Sequence, residues 1–175
     1  WIMLNALKLI DLLKNTEYDI EVHEHEALFT VQDSKQLRGK IKGSHSKNLF
    51  LKNKKNKFFL ISSDENSLIN LKQISKSLKL GNVSFAKEEF LKNLLGISPG
   101  SVSPFALLNN RKNDIDFYLE DRLYNSSFIN FHPLTNTATI TMETKDFIKL
   151  MIANNKKINI FSSAEGVVIK TYGNN

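Results

Sequence analysis

Three short stretches set polar side chains and glycine directly beside apolar residues: Gly43 through Leu51, Gly96 through Leu107, and Asn130 through Thr139. In the first, a strand over residues 46–52 places Lys47, Leu49 and Leu51 on one face and Asn48, Phe50 and Lys52 on the other, because side chains alternate along a strand. Lys47 then projects among apolar neighbours, where a compact ammonium suits a phosphate or a developing negative charge. His45 shares that face, and Asn48 offers a hydrogen-bonding group at the rim. In the second stretch, Gly100-Ser101-Val102-Ser103-Pro104 holds a glycine that tolerates positive φ, so amides near Ser101 and Val102 can approach a ligand closely. Ser101 and Ser103 lack a nucleophile elbow and a paired base, which leaves them at most as substrate contacts. In the third, Pro133 keeps His132 extended. Each of these residues also has an ordinary reading: a solvated lysine, an edge asparagine, a connecting loop, a structural histidine. His23 and His25 share a strand face, but no third ligand is patterned near them, so no metal site is expected.

The elements that must position these stretches follow from periodicity. Leu4, Leu7, Ile10 and Leu13 mark a first helix, and Ile20 and Val22 alternate with polar residues as a half-buried strand. Thr30-Val31-Gln32-Asp33 reads as a capping-box variant opening a short helix that stops at Gly39. Ser46–Lys52 and Lys57–Ser62 flank the polar turn Asn53–Asn56 and predict a β-hairpin. Leu68, Leu71, Ile74 and Leu78 predict a helix ending near Gly81, and a further helix spans residues 86–95 with Gly96 as its stop. Phe105–Leu108 and Ile115–Leu119 flank the turn at Asn109–Asp114. Phe128–His132 and Thr137–Met142 predict two strands around Pro133. Thr144 is expected to cap a last helix reaching Ala153, and Ile158–Phe161 to form a closing strand. Residues 162–175 read as a polar tail that frays.

Hairpin-connected strands mixed with helices, without strict alternation, predict an α+β (mixed α/β) single domain: a mixed, largely antiparallel twisted sheet flanked by helices. The 175 residues, 41% hydrophobic and 24% charged, suit one such domain over residues 1–161. The absence of cysteine excludes disulfide scaffolds and thiol nucleophiles. No apolar run is long enough to span a bilayer. The start, Trp1-Ile2-Met3-Leu4, lacks the basic region and cleavage site of a signal peptide, so a cytoplasmic location is expected. The net charge of +6 is compatible with a polyanionic partner and equally with a lysine-rich surface. Lys52, Lys54, Lys55 and Lys57 surround the hairpin turn, either as a contact for an acceptor stem or as a solvated turn.

The three stretches, in this order and spacing and together with Phe29-Thr30-Val31, resemble the signature segments of the YbaK/prolyl-tRNA-synthetase-associated editing-domain family, in its free-standing alanine-editing version (PrdX or ProXp-ala type). The resemblance covers most of the chain. It implies a trans-editing deacylase that hydrolyses the ester of mischarged tRNA, foremost alanyl-tRNA of the proline acceptor, with no cofactor. The partners it implies are that tRNA and, beyond it, prolyl-tRNA synthetase or an elongation factor. Lys47, Gly100 and His132 are the catalytic positions so implied. Asn48, Thr30, Phe50, Ser101, Val102, Pro104 and His45 are implied in substrate binding, and Phe29, Val31 and Phe105 lie near the amino-acid pocket. Hydrolysis of an already activated ester needs a placed water, a stabilised oxyanion and a grip on the terminal nucleotide, and neither a metal nor a protein nucleophile. A pocket that admits alanine can exclude proline by shape alone.

Other readings stay open on the residues. The same chemistry on a seryl or cysteinyl ester is one. A non-catalytic tRNA-binding or synthetase-associated module, including a piece of a longer prolyl-tRNA synthetase, is another.

Overall fold

Helix α1 (Ala6–Lys14) starts where the Asn5 side chain accepts from the Lys8 amide, and it buries Leu9 and Leu13. The structure, a computed structural model, describes residues 2–27 and 40–173. The helix expected from Thr30 to Gly39, and Phe29, Thr30 and Val31 with it, lie outside the described residues. Among the described residues nine strands form one sheet in the order β1-β7-β6-β2-β3-β5-β8-β9, with β4 paired to β2. They are β1 (Ile20–Glu24), β2 (Ser44–Asn53), β3 (Phe58–Asp64), β4 (Val83–Phe85), β5 (Ile115–Glu120), β6 (Phe128–Phe131), β7 (Ala138–Glu143), β8 (Ile158–Phe161) and β9 (Val168–Tyr172). Five pairings are antiparallel, and β2–β6, β3–β5 and β5–β8 are parallel. The expected mixed, largely antiparallel sheet with flanking helices is therefore what forms.

Strand β2 organises the molecule. One of its edges pairs throughout with β3, the hairpin read from the sequence, with Lys47 opposite Ser63 and Leu51 opposite Phe59. The other edge is divided: Ser44 and His45 run parallel to β6, whereas Leu51–Asn53 pair antiparallel to β4.

Alternation along the strands sorts two cores. On one face Phe50, Leu60, Phe117, Leu119, Ile129, Phe131, Ile140 and Met142 pack against α1 and α5 (Thr144–Ala153). There Phe147 meets Phe105 edge-on at 6.0 Å and Phe131 at 5.0 Å between ring centroids. On the other face Leu51, Phe59, Ile61, Tyr118 and Phe161 form a smaller core under Leu78 and Leu80, with Leu71 and Ile74 of α2 (Leu71–Ser77) packed on it.

Several local expectations change. Helix α2 begins at Leu71, after Asn70 accepts from the Gln73 amide, and Leu68 stands fully exposed outside it. The helix expected over 86–95 is α3, one α-turn (Glu88–Phe90) that widens into a π-turn (Leu91–Leu95) and so buries both Leu91 and Leu95. Phe105–Leu108 is no strand but part of a 3₁₀ helix (Pro104–Asn109), because Pro104 sets the first helical φ and the Ser103 hydroxyl accepts from the Phe105 amide. A short α4 (Asp121–Tyr124) follows β5. Thr144 is the first residue of α5 and not its cap; its hydroxyl donates to Ser126 O at 2.5 Å. Past Ser162 the chain does not simply fray: Val168–Tyr172 is β9, antiparallel to β8, and the Tyr172 hydroxyl meets that of Tyr124 at 2.5 Å.

Candidate functional site

The face of β2 that carries Lys47 changes character along the sheet. Toward β3 it is the smaller apolar core. Toward β6, β7 and β1 it is polar: His45 lies opposite Asn130, Asn130 opposite Thr141, Thr141 opposite Glu21, and Thr139 opposite His23. The reverse side of those strands presents Ile129, Phe131, Ile140 and Met142 to the larger core. Lys47 stands at the boundary, half-buried, with its ammonium donating to the carbonyl of Ser67.

That carbonyl is itself held in place. The Ser67 hydroxyl donates to Glu120 Oε1 at 2.6 Å, Asp64 N–H donates to the same oxygen at 3.3 Å, and Arg122 Nη1 reaches Ser67 Oγ at 3.3 Å. Burial pushes the Glu120 carboxyl above the usual carboxylate range, against the pull of the Ser67 and Asp64 hydrogen bonds.

His132 sits at the end of the polar face. Its Nδ1 lies 2.8 Å from Ala138 O, and since a carbonyl only accepts, Nδ1 carries the proton and Nε2 is left as a bare acceptor. Burial lowers its pKa below the ordinary 6.5, and the neighbouring His25 and His45 lower it further. The ring stands 6.1 Å from that of His25. His25 is fixed in the same manner, with Nδ1 donating to Glu26 O at 2.8 Å and Nε2 accepting from the Thr139 hydroxyl at 2.9 Å. The rings of His132 and His25 thus line this end.

The glycine loop meets the same end. Gly100 has φ +88, a conformation that side-chain-bearing residues rarely adopt, while among the described residues a Cβ there would find only Asn136 Nδ2, at 3.6 Å. Backbone conformation, not crowding, demands the glycine. Asn136 belongs to the segment that follows His132, so the two stretches are neighbours. Ser101 is buried and its amide donates to Ser98 O at 3.1 Å, which removes that amide from the ligand-facing role expected of it. Pro104 is buried as the first residue of the 3₁₀ helix, and Val102 packs on the larger core.

The structure therefore brings His45 and Lys47 onto one sheet face, with His132 close to His45, and sets Gly100 beside the segment after His132. It does not bring Asn48, Phe50 or Phe105 there. Asn48 turns to the opposite face, accepting from Ser62 Oγ at 2.5 Å and donating to Ser46 Oγ at 3.1 Å. Phe50 is 3% exposed and stacks on Phe58 in the larger core, and Phe105 is fully buried there. Strand alternation and the 3₁₀ turn aim both into that core. Thr30 lies outside the described residues.

Sequence reasoning missed Ser63, Ser67, Glu120 and Thr139, and it treated His25 only as a rejected metal ligand. Ser63 is the most informative of these. It lies directly across from Lys47, and its Oγ, like His45 Nε2 on the same face, is buried without a hydrogen-bond partner among the described residues. Two orphaned polar atoms flanking an ammonium are where a ligand's polar atoms would be received. The hairpin predicted around a four-residue Asn53–Asn56 turn would have set Lys47 opposite Ser62; in the observed register Asn53 N–H donates to Lys57 O, which moves its partner to Ser63.

The general model of the aminoacyl-tRNA editing domain matches residues 25–150. A prolyl-tRNA synthetase associated domain-containing protein 1 from Xenopus laevis is 35% identical over 133 residues, covering 73% of this chain and 79% of that protein. The prolyl-tRNA editing protein ProX of Acetoanaerobium sticklandii is 29% identical over 143 residues, covering 81% and 85%. Among solved structures, one described as a candidate trans-editing enzyme for prolyl tRNA synthetase superposes with a TM-score of 0.65 at 18% identity, over 90% of this chain and 96% of that one. At that identity the likeness speaks for the fold alone.

Proposed function

Because the chain belongs to the aminoacyl-tRNA editing domain family, we propose that it is a trans-editing deacylase whose substrate is alanyl-tRNA of the proline acceptor. The observation that carries the reading is the polar sheet face on which Lys47 is flanked by two unsatisfied buried polar atoms, with a neutral, acceptor-bearing His132 at its end. Water adds to the ester carbon, the tetrahedral oxyanion forms, and collapse expels the ribose oxygen, which takes up the proton given by the water; the products are free alanine and tRNA. His132 Nε2 accepts from the attacking water or from the ribose hydroxyl that relays its proton. The Lys47 ammonium, presented by Ser67 O, stabilises the growing negative charge or the terminal phosphate. With the Ser101 amide engaged in its turn, Val102 N–H is the loop donor assigned to the oxyanion. Ser63 Oγ and His45 Nε2 receive polar atoms of the terminal nucleotide.

A protein acting in trans meets its substrate after release from the synthetase, so prolyl-tRNA synthetase and elongation factor share that substrate in the cytoplasm. Among the described residues no helix is long and apolar enough to cross a membrane.

The test is a deacylation assay with alanyl-, seryl- and cysteinyl-tRNA of the proline acceptor. Alanine release is expected to be fastest and to fall about 100- to 1,000-fold in Lys47→Ala. No alanine release, or equal release by the variant, refutes the proposal.

A further inference from the structure

The positive charge of the chain is concentrated in one stretch. Residues 40–87 contain eleven lysines against two acids, Asp64 and Glu65, a net of nine positive charges in a chain whose total is +6; the remaining residues are together net negative. Several of these lysines are occupied. Lys42 pairs with Glu21 at 3.0 Å and Lys57 with Asp116 at 3.2 Å, Lys52 lies 5.2 Å over the Phe90 ring, and Lys47 is held by Ser67. The hairpin cluster noted in the sequence thus divides, with Lys52 and Lys57 engaged and Lys54 and Lys55 exposed at the turn.

A second set was not singled out by the sequence. Lys72 and Lys76 lie one turn apart on α2 and share a face, and Lys79 follows just past the C-cap Leu78 in a left-handed conformation. All three are exposed, and they line an open groove of about 710 Å³ with Gly81, Asn82 and Val83 and, among the described residues, no acidic one. Asn53 joins this groove to the hairpin turn: its Nδ2 donates to Leu80 O at 3.0 Å, while its Oδ1 accepts from the amides of Lys55 and Lys57. Lys54 and Lys55 therefore continue the lysine row. At the other end, α2 begins four residues after Ser67, whose carbonyl holds Lys47.

We propose that this row, Lys72–Lys76–Lys79 continued by Lys54 and Lys55, is the surface that takes the phosphate backbone of the substrate RNA as it leaves the site; the inference rests on the editing reading above. Exposed lysines act as point charges that neutralise phosphates without reading bases, which suits a surface that positions and does not select. An acidic protein is the less favoured occupant, because protein interfaces are depleted in lysine and anchored by aromatic residues and arginine, and neither lines the groove.

The experiment measures binding of uncharged proline-acceptor tRNA between 50 and 200 mM salt, for the wild type and for the triple variant Lys72→Gln, Lys76→Gln, Lys79→Gln. Losing three phosphate contacts should flatten the slope of log affinity against log salt by about 2.7, so that over this range wild-type affinity falls about 40-fold more than the variant's. A control triple at exposed lysines elsewhere (Lys8→Gln, Lys14→Gln, Lys149→Gln) should leave the slope unchanged. Hydrolysis of a short substrate, alanine esterified to the terminal CCA trinucleotide, should be unaffected by the α2 triple. An unchanged slope in the α2 triple, an equal flattening in the control, or an equal loss on the short substrate overturns the proposal. Since binding of uncharged tRNA needs no hydrolysis, a protein that released no alanine would sink the deacylase reading while the salt titration still decided the row.

Discussion

Ser63 offers a perturbation whose effects on stability and activity should run in opposite directions. Its hydroxyl is fully buried and has no partner among the described residues. Leaving such a group unpaired costs about 1–3 kcal/mol. Ser63→Ala removes that penalty at the expense of a void the size of one oxygen, so a net gain of about 1 kcal/mol is expected, or about 2–4 °C in Tm for a chain of this length. If the hydroxyl waits for the substrate, the same change removes one hydrogen bond in the complex. At about 0.5–1.5 kcal/mol, that lowers kcat/KM about 2- to 13-fold. Ser62→Ala is the matched comparison. Ser62 is equally buried but donates to Asn48 Oδ1 on the opposite face, so its loss should lower Tm and leave kcat/KM nearly untouched. Thermal melts and single-turnover deacylation of both variants decide the matter. If Ser63→Ala melts below the wild type and deacylates normally, the hydroxyl is a packing group and the reasoning fails.

Two further outcomes are expected. The lowered pKa of His132 means that the unfolded chain binds more protons than the folded one as pH falls past 6.5. His132 thus contributes stability that is present above 6.5 and lost as pH drops through its depressed folded pKa. The acid limb of kcat/KM should likewise have its midpoint below 6.5 and disappear in His132→Gln; a wild-type midpoint at or above 6.5 would count against a neutral His132 in the mechanism. Asn109, nearly fully buried, accepts from Leu4 N–H at 2.7 Å and donates to Leu4 O at 3.0 Å and Leu95 O at 2.9 Å. Asn109→Ala should therefore destabilise by about 2–4 kcal/mol in a denaturant titration, with kcat/KM unchanged where the chain remains folded.

What the sequence made legible was local. The β2–β3 hairpin was readable because a polar four-residue turn separates two strand-like runs, and period-two alternation then put Lys47 and His45 on one face and Asn48 and Phe50 on the other. The same alternation sets Phe50 on the face away from Lys47, although the resemblance implied it in substrate binding. What was not legible depends on pairs distant in the chain. Glu120 looks like the end of a buried strand until Ser67, 53 residues away, is found donating to it. His25 gains meaning only from Thr139, 114 residues on. Strand β9 escaped notice because Val168–Thr171 are exposed on both faces, which erases the alternation that announces a strand. The 3₁₀ helix was hidden for another reason: Phe105–Leu108 is a run of apolar residues that fits a strand equally well, and only the Ser103–Pro104 start discriminates between them.

The divided edge of β2 has a structural consequence of its own. Between His45, the last residue paired with β6, and Leu51, the first paired with β4, the sheet branches, and Lys47 lies inside the fork. An opening made in this way needs no inserted loop or second domain; it exists because two neighbours share one strand and neither runs its full length. Its width is set by where β4 begins pairing. Lengthening β4 toward Ser46 would stitch the fork closed from the backbone, without touching one side chain of the site, and shortening it would widen the opening. How far β4 pairs along β2 thus decides how much of the strand edge beside Lys47 stays unpaired among the described residues.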